Sequence, residues 1–341
     1  MQSLDLQVIS QLCVWLQRGD SAWLCTVIET WGSSPRRPGS LMVCHGSGAI
    51  VGTLSGGCVE EDLIEQLQSG QLAAKAAHYK LYGETAAEIE RFQLPCGGTL
   101  GVLIEPIAPG QLAVFSDIER ALTQRENIHR EVSWDAQSAI LTAQAASITR
   151  RSPAIELSRS EAHSPLTLSQ VYGPQTHLFI IGITEISRAL AQFALAAAYR
   201  VTVCDPRAEL ADSWDIEHCL LLTAMPDDAL SGQGEGITVD ADTAIVAVTH
   251  DPRIDDMGLL EAFNTSAFYI GAMGSRRSSA SRRQRLLDLD ISEQQLLRLH
   301  APIGLSIGSK TPVEIAIAIM AELISERARL RSEALATLEQ Q

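Results

Sequence analysis

The chain of 341 residues is long enough for two domains of roughly 150 residues each, and its 46% apolar and 20% charged residues exclude a disordered or fibrous class. A net charge of -15 argues against nonspecific binding to nucleic acid or to anionic membranes, so any anion site must be built locally. The seven cysteines, at positions 13, 25, 44, 58, 96, 204 and 219, are odd in number and form no C-x-x-C pair, which suggests neither a disulfide framework nor a zinc knuckle and fits a reducing cytoplasm.

At the N-terminus, Asp5, Arg18 and Asp20 surround a short amphipathic pattern that lacks the basic start and apolar centre of a signal peptide. Leu4, Val8, Ile9, Leu12 and Leu16 share one face of a predicted helix over 4–17, and a strand follows over 23–30. Residues 31–57 are rich in Gly, Ser and Pro and set strands at 40–44 and 49–54 among loops. Leu63, Ile64 and Leu67 predict a helix over 59–72, whose first turn carries Glu60, Glu61 and Asp62 directly after Cys58. From 108 to about 175, mixed charge, scattered prolines and weak periodicity place a domain boundary near the end of the stretch.

Beyond residue 176 the pattern changes to short apolar runs, with strands expected at 178–181, 201–204, 219–223, 245–249 and 268–270. Ile186, Leu190, Phe193 and Ala197 recur at helical spacing between the first two, giving a strand–turn–helix–strand unit that closes at Asp205. The expected class is α/β: residues 1–165 form an N-terminal α/β domain with its linker, and residues 176–341 a Rossmann-like doubly wound parallel sheet. The most apolar stretches, 178–183 and 315–324, fall short of the ~20 residues that cross a bilayer.

Several segments carry residues suited to ligand chemistry. Gly182 follows the first strand and Asp205 ends the second where a ribose-binding acid belongs, but the turn reads Gly182-Ile183-Thr184-Glu185-Ile186-Ser187. Thr184 crowds and Glu185 repels a pyrophosphate, which leaves a structural scaffold as the alternative. Gly271 and Gly274 permit close backbone approach after the last strand, and Ser275 with Arg276 could hold a phosphate; a solvated basic helix start is the competing reading. Thr311-Pro312-Val313-Glu314 spells a capping box, with Gly308 and Lys310 before it, so an anion could meet both a helix start and a lysine. His250 with Asp251 ends the fourth strand at the same carboxyl edge.

In the first half, Gly56 and Gly57 precede Cys58, and Gly97 and Gly98 follow Cys96, so both sulfurs are expected to be reachable. The three acids after Cys58 oppose thiolate formation there. Arg36, on a proline-stiffened loop, suits a phosphate or a pterin edge. Cys13, Cys25, Cys44, Cys204 and Cys219 lie in apolar patterns and are expected in the core. No metal-binding cluster is evident.

Taken together, these segments resemble the XdhC/CoxI family over nearly the whole chain. The resemblance rests on Gly32-Ser33-Ser34-Pro35-Arg36, the run from Gly52 to Glu60, and Pro95-Cys96-Gly97-Gly98-Thr99 in the first half. The second half adds the run from Val201 to Arg207, Thr249-His250-Asp251, Tyr269-Ile270-Gly271 with Gly274-Ser275-Arg276-Arg277, and His300-Ala301-Pro302-Ile303-Gly304 through Glu314. The family implies a non-catalytic accessory factor that binds molybdenum cofactor (molybdopterin) transiently, protects it during sulfuration and inserts it into a xanthine-dehydrogenase-type hydroxylase. It further implies the apo molybdenum hydroxylase and a cysteine desulfurase as partners, and places Cys58 and Cys96 nearest the cofactor chemistry. A homodimer is a further option, and nucleic acid and membranes are not expected partners. The first Rossmann turn departs from the family's Gly-Ala-Gly-His, which bears on any nucleotide contact at Gly182. A nicotinamide-dependent oxidoreductase, suggested by the Rossmann frame alone, is the competing class.

Overall fold

A computed structural model of the protein describes residues 3–31, 36–72, 76–83, 85, 88, 98–134, 144–147, 155–158, 166–232 and 236–338. The chain divides into two compact units, 2–174 and 175–341.

The first unit begins with α1 (Leu4–Gln17), capped by Ser3, whose hydroxyl accepts from the Leu6 N–H. The chain continues through β1 (Ala22–Trp31), β2 (Leu41–His45), β3 (Ile50–Gly52), α2 (Cys58–Gln68), β4 (His78–Tyr82), β5 (Thr99–Ile107) and α3 (Leu112–Thr123). An antiparallel sheet of order β3-β2-β1-β5-β4 forms the centre. Strand β1 is covered on both faces. Leu24 packs with Val8, Leu12 and Leu16 of α1 and Phe115 and Ile118 of α3, while Cys25 and Val27 face Val59, Leu63 and Leu67 of α2. Burial on both sides accounts for the apolar residues at successive positions of β1, Leu24 with Cys25 and Val27 with Ile28, where the sequence suggests an alternating strand.

Beyond residue 108, where the sequence shows only weak periodicity, further regular elements form. Helix α3 is amphipathic, burying Phe115, Ile118, Ala121 and Leu122. It leads into β6 (Ile128–Trp134), β7 (Gln144–Ser147), β8 (Ile155–Ser158) and β9 (Leu166–Tyr172), an antiparallel sheet of order β7-β6-β9-β8. The apolar alternation of this sheet is masked by buried polar residues. Arg130 and Glu105 are both fully buried and form a bidentate pair at 2.7 and 3.0 Å, and Gln170 is buried nearby. A charged pair in the core looks like surface sequence until its partner is known.

The second unit contains β10 (His177–Ile181), α4 (Glu185–Ala196), β11 (Arg200–Cys204), β12 (Cys219–Leu222), β13 (Thr243–Ala247), α5 (Pro252–Ala262), β14 (Tyr269–Ala272), α6 (Arg276–Asp288), β15 (Leu299–His300) and α7 (Pro312–Leu338). All six strands are parallel in the order β12-β11-β10-β13-β14-β15. Counted from β10 this is 3-2-1-4-5-6, the doubly wound Rossmann arrangement. Leu178, Ile180 and Val246 pack toward α4 and α7, while Phe179, Ile181 and Ile245 pack toward α5 and α6. The fourth strand ends at Ala247, two residues before its expected end, so Thr249-His250-Asp251 lies in the following turn. Gly271 sits inside β14, and a Cβ there would stand 2.5 Å from Ile303. Its lack of a side chain admits Ile303, not a phosphate, because the strand runs past it to Ala272.

Candidate functional site

In a doubly wound sheet, ligands bind outside the carboxyl ends of the strands, at the point where strand order reverses. Here that point lies between β10 and β13. Gly182 takes φ +103 immediately after β10, and a Cβ on it would overlap the Thr249 methyl. The glycine therefore brings the turn after β10 against the turn after β13.

Asp205, expected to meet a ribose, is fully buried and engaged internally. Its carboxylate accepts from the Ile183 N–H at 2.7 Å and from the Arg207 N–H, Nε and Nη2 at 3.0, 2.8 and 2.6 Å. Burial alone would raise its pKa, yet the Arg207 side chain and the Ile183 N–H hold it below the usual carboxylate value. The rest of the turn is closed as well. Thr184 caps α4 by accepting from the Ser187 N–H at 3.1 Å, and Ser187 Oγ accepts from the Thr184 N–H at 2.7 Å. Donors that would face a pyrophosphate in a dinucleotide fold are thus taken by the protein's own side chains.

His250 is exposed beside this turn. Asp251 caps α5, accepting from the Arg253 N–H at 3.0 Å and from its guanidinium. Behind the same turn, Asp255 accepts from the Thr249 hydroxyl at 2.7 Å and from Arg282 Nη2 at 2.7 Å, while Arg282 Nη1 donates to the Met273 carbonyl at 2.8 Å. This buried bridge ties the turns after β13 and β14 together. Burial raises the Asp255 pKa to about 6 against the Thr249 and Arg282 contacts that lower it.

Gly274, Ser275 and Arg276 lie where β14 passes into α6, as expected, with Ser275 accepting from the Ser278 N–H at 3.1 Å. Lys310 is exposed before α7, whose start is closed: Glu314 accepts from the Lys310 and Thr311 N–H groups at 2.8 and 3.0 Å, completing the predicted capping box.

In the first unit, Gly56 and Gly57 are exposed, at φ +106 and +156, with open space where side chains would stand. Cys58 is the first residue of α2. Arg36 is half-buried in the β1–β2 loop, and Gly98 is buried just before β5. Cys96 and Gly97 lie outside the described residues. The expectation that Glu60 opposes a thiolate at Cys58 is modified by its surroundings. Its carboxylate accepts from Thr53 Oγ1 at 2.6 Å, from the Leu54, Ser55, Gly56 and Gly57 N–H groups at 2.7 to 3.1 Å, and from the Ser55 hydroxyl. Burial would raise its pKa, but the Ser55 hydroxyl and N–H, Thr53 and Gly56 hold it well below the usual carboxylate range. Asp62 is paired with Lys80 at 3.3 Å. Two of the three acids after Cys58 are therefore absorbed by partners instead of facing solvent.

Sequence reasoning missed Glu60 as the organiser of its loop, although glutamate three residues after the Gly57 cap is a capping-box signal. It named His300 only within a motif and missed its cluster, in which the Nδ1 lies 3.1 Å from Glu322 and the ring stacks on Tyr269 at 4.3 Å. Cys13, Cys25, Cys44 and Cys204 are buried, Cys219 partly so, and burial pushes the thiols of Cys44 to about 11 and of Cys13, Cys204 and Cys219 to about 12. Among the described residues no group of His, Cys, Asp and Glu could hold a metal ion, and no helix is long and apolar enough to cross a membrane.

Comparison with known proteins agrees with this architecture. Residues 178–323 match the model of the XdhC Rossmann domain, and residues 15–81 that of the XdhC and CoxI family. A Bacillus subtilis (strain 168) protein, named as a probable subunit of xanthine dehydrogenase, is 26% identical over 329 residues, spanning 92% of this chain and 96% of its own. The Escherichia coli (strain K12) "Molybdenum cofactor insertion chaperone PaoD" is 26% identical over 318 residues, 92% of this chain and 85% of that protein. The crystal structure of a xanthine dehydrogenase from Bacillus halodurans has the same fold, with a TM-score of 0.73, 24% identity and 96% of both chains covered.

Proposed function

The chain belongs to the XdhC and CoxI family, and from that premise we propose that it is a cytoplasmic chaperone that binds molybdenum cofactor transiently, supports its sulfuration and inserts it into an apo molybdenum hydroxylase of the xanthine-dehydrogenase type. A cysteine desulfurase is the sulfur-donating partner in this reading. The observation that supports it best is the clamp of Glu60 on the loop 53–57. Six donors converge on one buried carboxylate, which fixes Cys58 at the head of α2 beside two glycines with open space above them. A pre-ordered loop of that kind gives a bulky planar ligand room to approach a soft sulfur donor. The bound cofactor supplies the molybdenum and its sulfido ligand; the protein supplies Cys58 and Cys96 as thiols near that chemistry, Arg36 for a pterin edge, and the carboxyl edge of the parallel sheet for the anionic end.

The oxidoreductase alternative finds no support at the switch point, where Asp205 and the Thr184–Ser187 cap occupy the donors a nicotinamide dinucleotide would need. Titration with NADH and NADPH is expected to give no micromolar binding, and binding with hydride transfer would reverse the choice. The main test is activation of an apo hydroxylase by cofactor together with wild-type protein, Cys58→Ala or Cys96→Ala, with thermal melting alongside. Loss of activation at an unchanged melting temperature is the expected result for both variants. Full activation by both would remove the thiols from the proposed function.

A further inference from the structure

We propose that Trp31, at the end of β1 in the first unit, is an aromatic platform on which a planar heterocycle of the pterin type stacks. Among the described residues, Trp31 is the one aromatic in the set of exposed large apolar side chains, and it is 69% exposed. No hydrogen bond reaches its indole N–H, and no other ring or cation lies against its face. A side chain of this size ordinarily serves a core or an interface, so an indole left bare on a fixed strand is available for stacking. Its exposure has a local cause. Cys25 and Val27 face α2, but the register shifts between Val27 and Glu29. That bulge turns Glu29 and Trp31 to the opposite face, because their partners Gly101 and Thr99 alternate with Leu100 and Val102, which pack on α2. The rung before Trp31 is filled: a Cβ on Gly101 would stand 2.9 Å from Glu29 Cγ and overlap the Tyr79 hydroxyl, which donates to Glu29. On the other side of β1, pairing with β2 stops at Thr26, opposite Leu41, so at Trp31 the ladder has β5 alone.

The position of the ring connects it with the residues proposed to meet the cofactor. Arg36 follows Trp31 by five positions, and Thr99, its partner across the ladder, follows Cys96 by three. Strand β3 ends at Gly52, and the N–H of Thr53 donates to the Leu41 carbonyl at 3.3 Å, at the end of β2 nearest Trp31. The loop clamped by Glu60, with Cys58 after it, therefore departs from the same end of the sheet. The last turn of α2 lies at the opposite end, where Gln68 donates to the Gly46 carbonyl at 3.4 Å. A pterin has two flat faces and a polar rim. Stacking on Trp31 holds one face and leaves the rim and the sulfur substituents for polar and thiol contacts. The ligand class rests on the cofactor reading proposed above; the stacking residue does not.

The test uses the full chain labelled with fluorotryptophan, and neopterin, a soluble pterin, as the probe. The five tryptophans give separate fluorine NMR signals, and the one lost in Trp31→Phe belongs to Trp31. Neopterin is expected to shift that signal most in the wild type. In equilibrium dialysis, Trp31→Ala is expected to weaken neopterin binding about tenfold, and Trp31→Phe, which keeps an aromatic face, by less. Trp31→Phe also keeps a strand-forming side chain, so its melting temperature should match that of the wild type. A wild type that binds no neopterin, or binding that is equally tight after Trp31→Ala, overturns the platform. Sedimentation is measured alongside. A dimer that Trp31→Ala dissociates, at unchanged neopterin affinity, also overturns it and assigns the ring to a contact with a second copy of the chain. Activation of an apo hydroxylase is read separately. Neopterin binding that depends on Trp31 without activation overturns the chaperone reading and leaves the platform standing, whereas full activation with binding indifferent to Trp31 does the reverse.

Discussion

Two helix starts at the carboxyl edge of one sheet share a hydroxyl cap, Thr184 with Ser187 and Ser275 with Ser278, but differ in the charge set beside it. At α4, Asp205, Thr184 and Ser187 take up the N–H groups that a phosphate would meet. At α6 the first turn is basic and a buried serine hydroxyl has no partner. The closed pattern recurs elsewhere: Glu60 clamps the approach to α2 and Glu314 the approach to α7. An internal carboxylate supplies the negative charge that a bound anion would otherwise bring, so it makes a loop rigid and withdraws its N–H groups from an anion. The position of a Rossmann turn in the fold therefore does not decide whether it binds; the side chains folded back onto it do.

The closed sites should behave as structural elements, and the largest effect is expected at Glu60. Glu60→Gln removes the charge and places an amide NH2 among donors, which is expected to lower stability by about 4 kcal/mol in urea denaturation and to speed amide exchange in 53–57. A loss below 1 kcal/mol would show that the clamp is not stabilising. Acid pH provides a second readout of the same group. Because its folded pKa is depressed from the ordinary 4.5, the stability it contributes is full above about pH 4.5 and is lost as pH falls below that value. Glu60→Gln should flatten this acid branch, and an unchanged pH profile would refute the assignment.

Asp205→Asn is expected to cost about 3 kcal/mol, since it weakens the hold on the Ile183 N–H and leaves the Arg207 guanidinium with a neutral partner. It should not create affinity for a dinucleotide, because Thr184 and Ser187 still close the turn; NADH binding in this variant would break the comparison. Gly182→Ala forces a side chain into a positive φ and onto Thr249, with an expected loss of about 2 kcal/mol. Smallest is Ser187→Ala, which undoes half of the α4 capping box for about 1 kcal/mol. A melting temperature unchanged by Ser187→Ala would mean that α4 is held by packing alone.

The sequence by itself determined those features whose cause is local or periodic. Apolar spacing located α1, α4 and five of the six strands of the parallel sheet to within a few residues, missing the two-residue β15, while Thr311 and Glu314 spelled the cap of α7 and several long motifs in order carried the family. It did not reveal that residues after 108 fold as a helix and a second sheet. The fully buried pair of Arg130 and Glu105 is separated by 25 residues, and a charge in the core is indistinguishable from a surface charge until its partner is brought beside it. Nor could spacing show that Asp205 turns inward, that Glu60 collects six donors, or that Ser279 lies unpartnered beside Gly274. Those outcomes depend on which hydrogen-bond donors and acceptors the packed chain brings within about 3 Å of one another, and tertiary structure alone sets that distance.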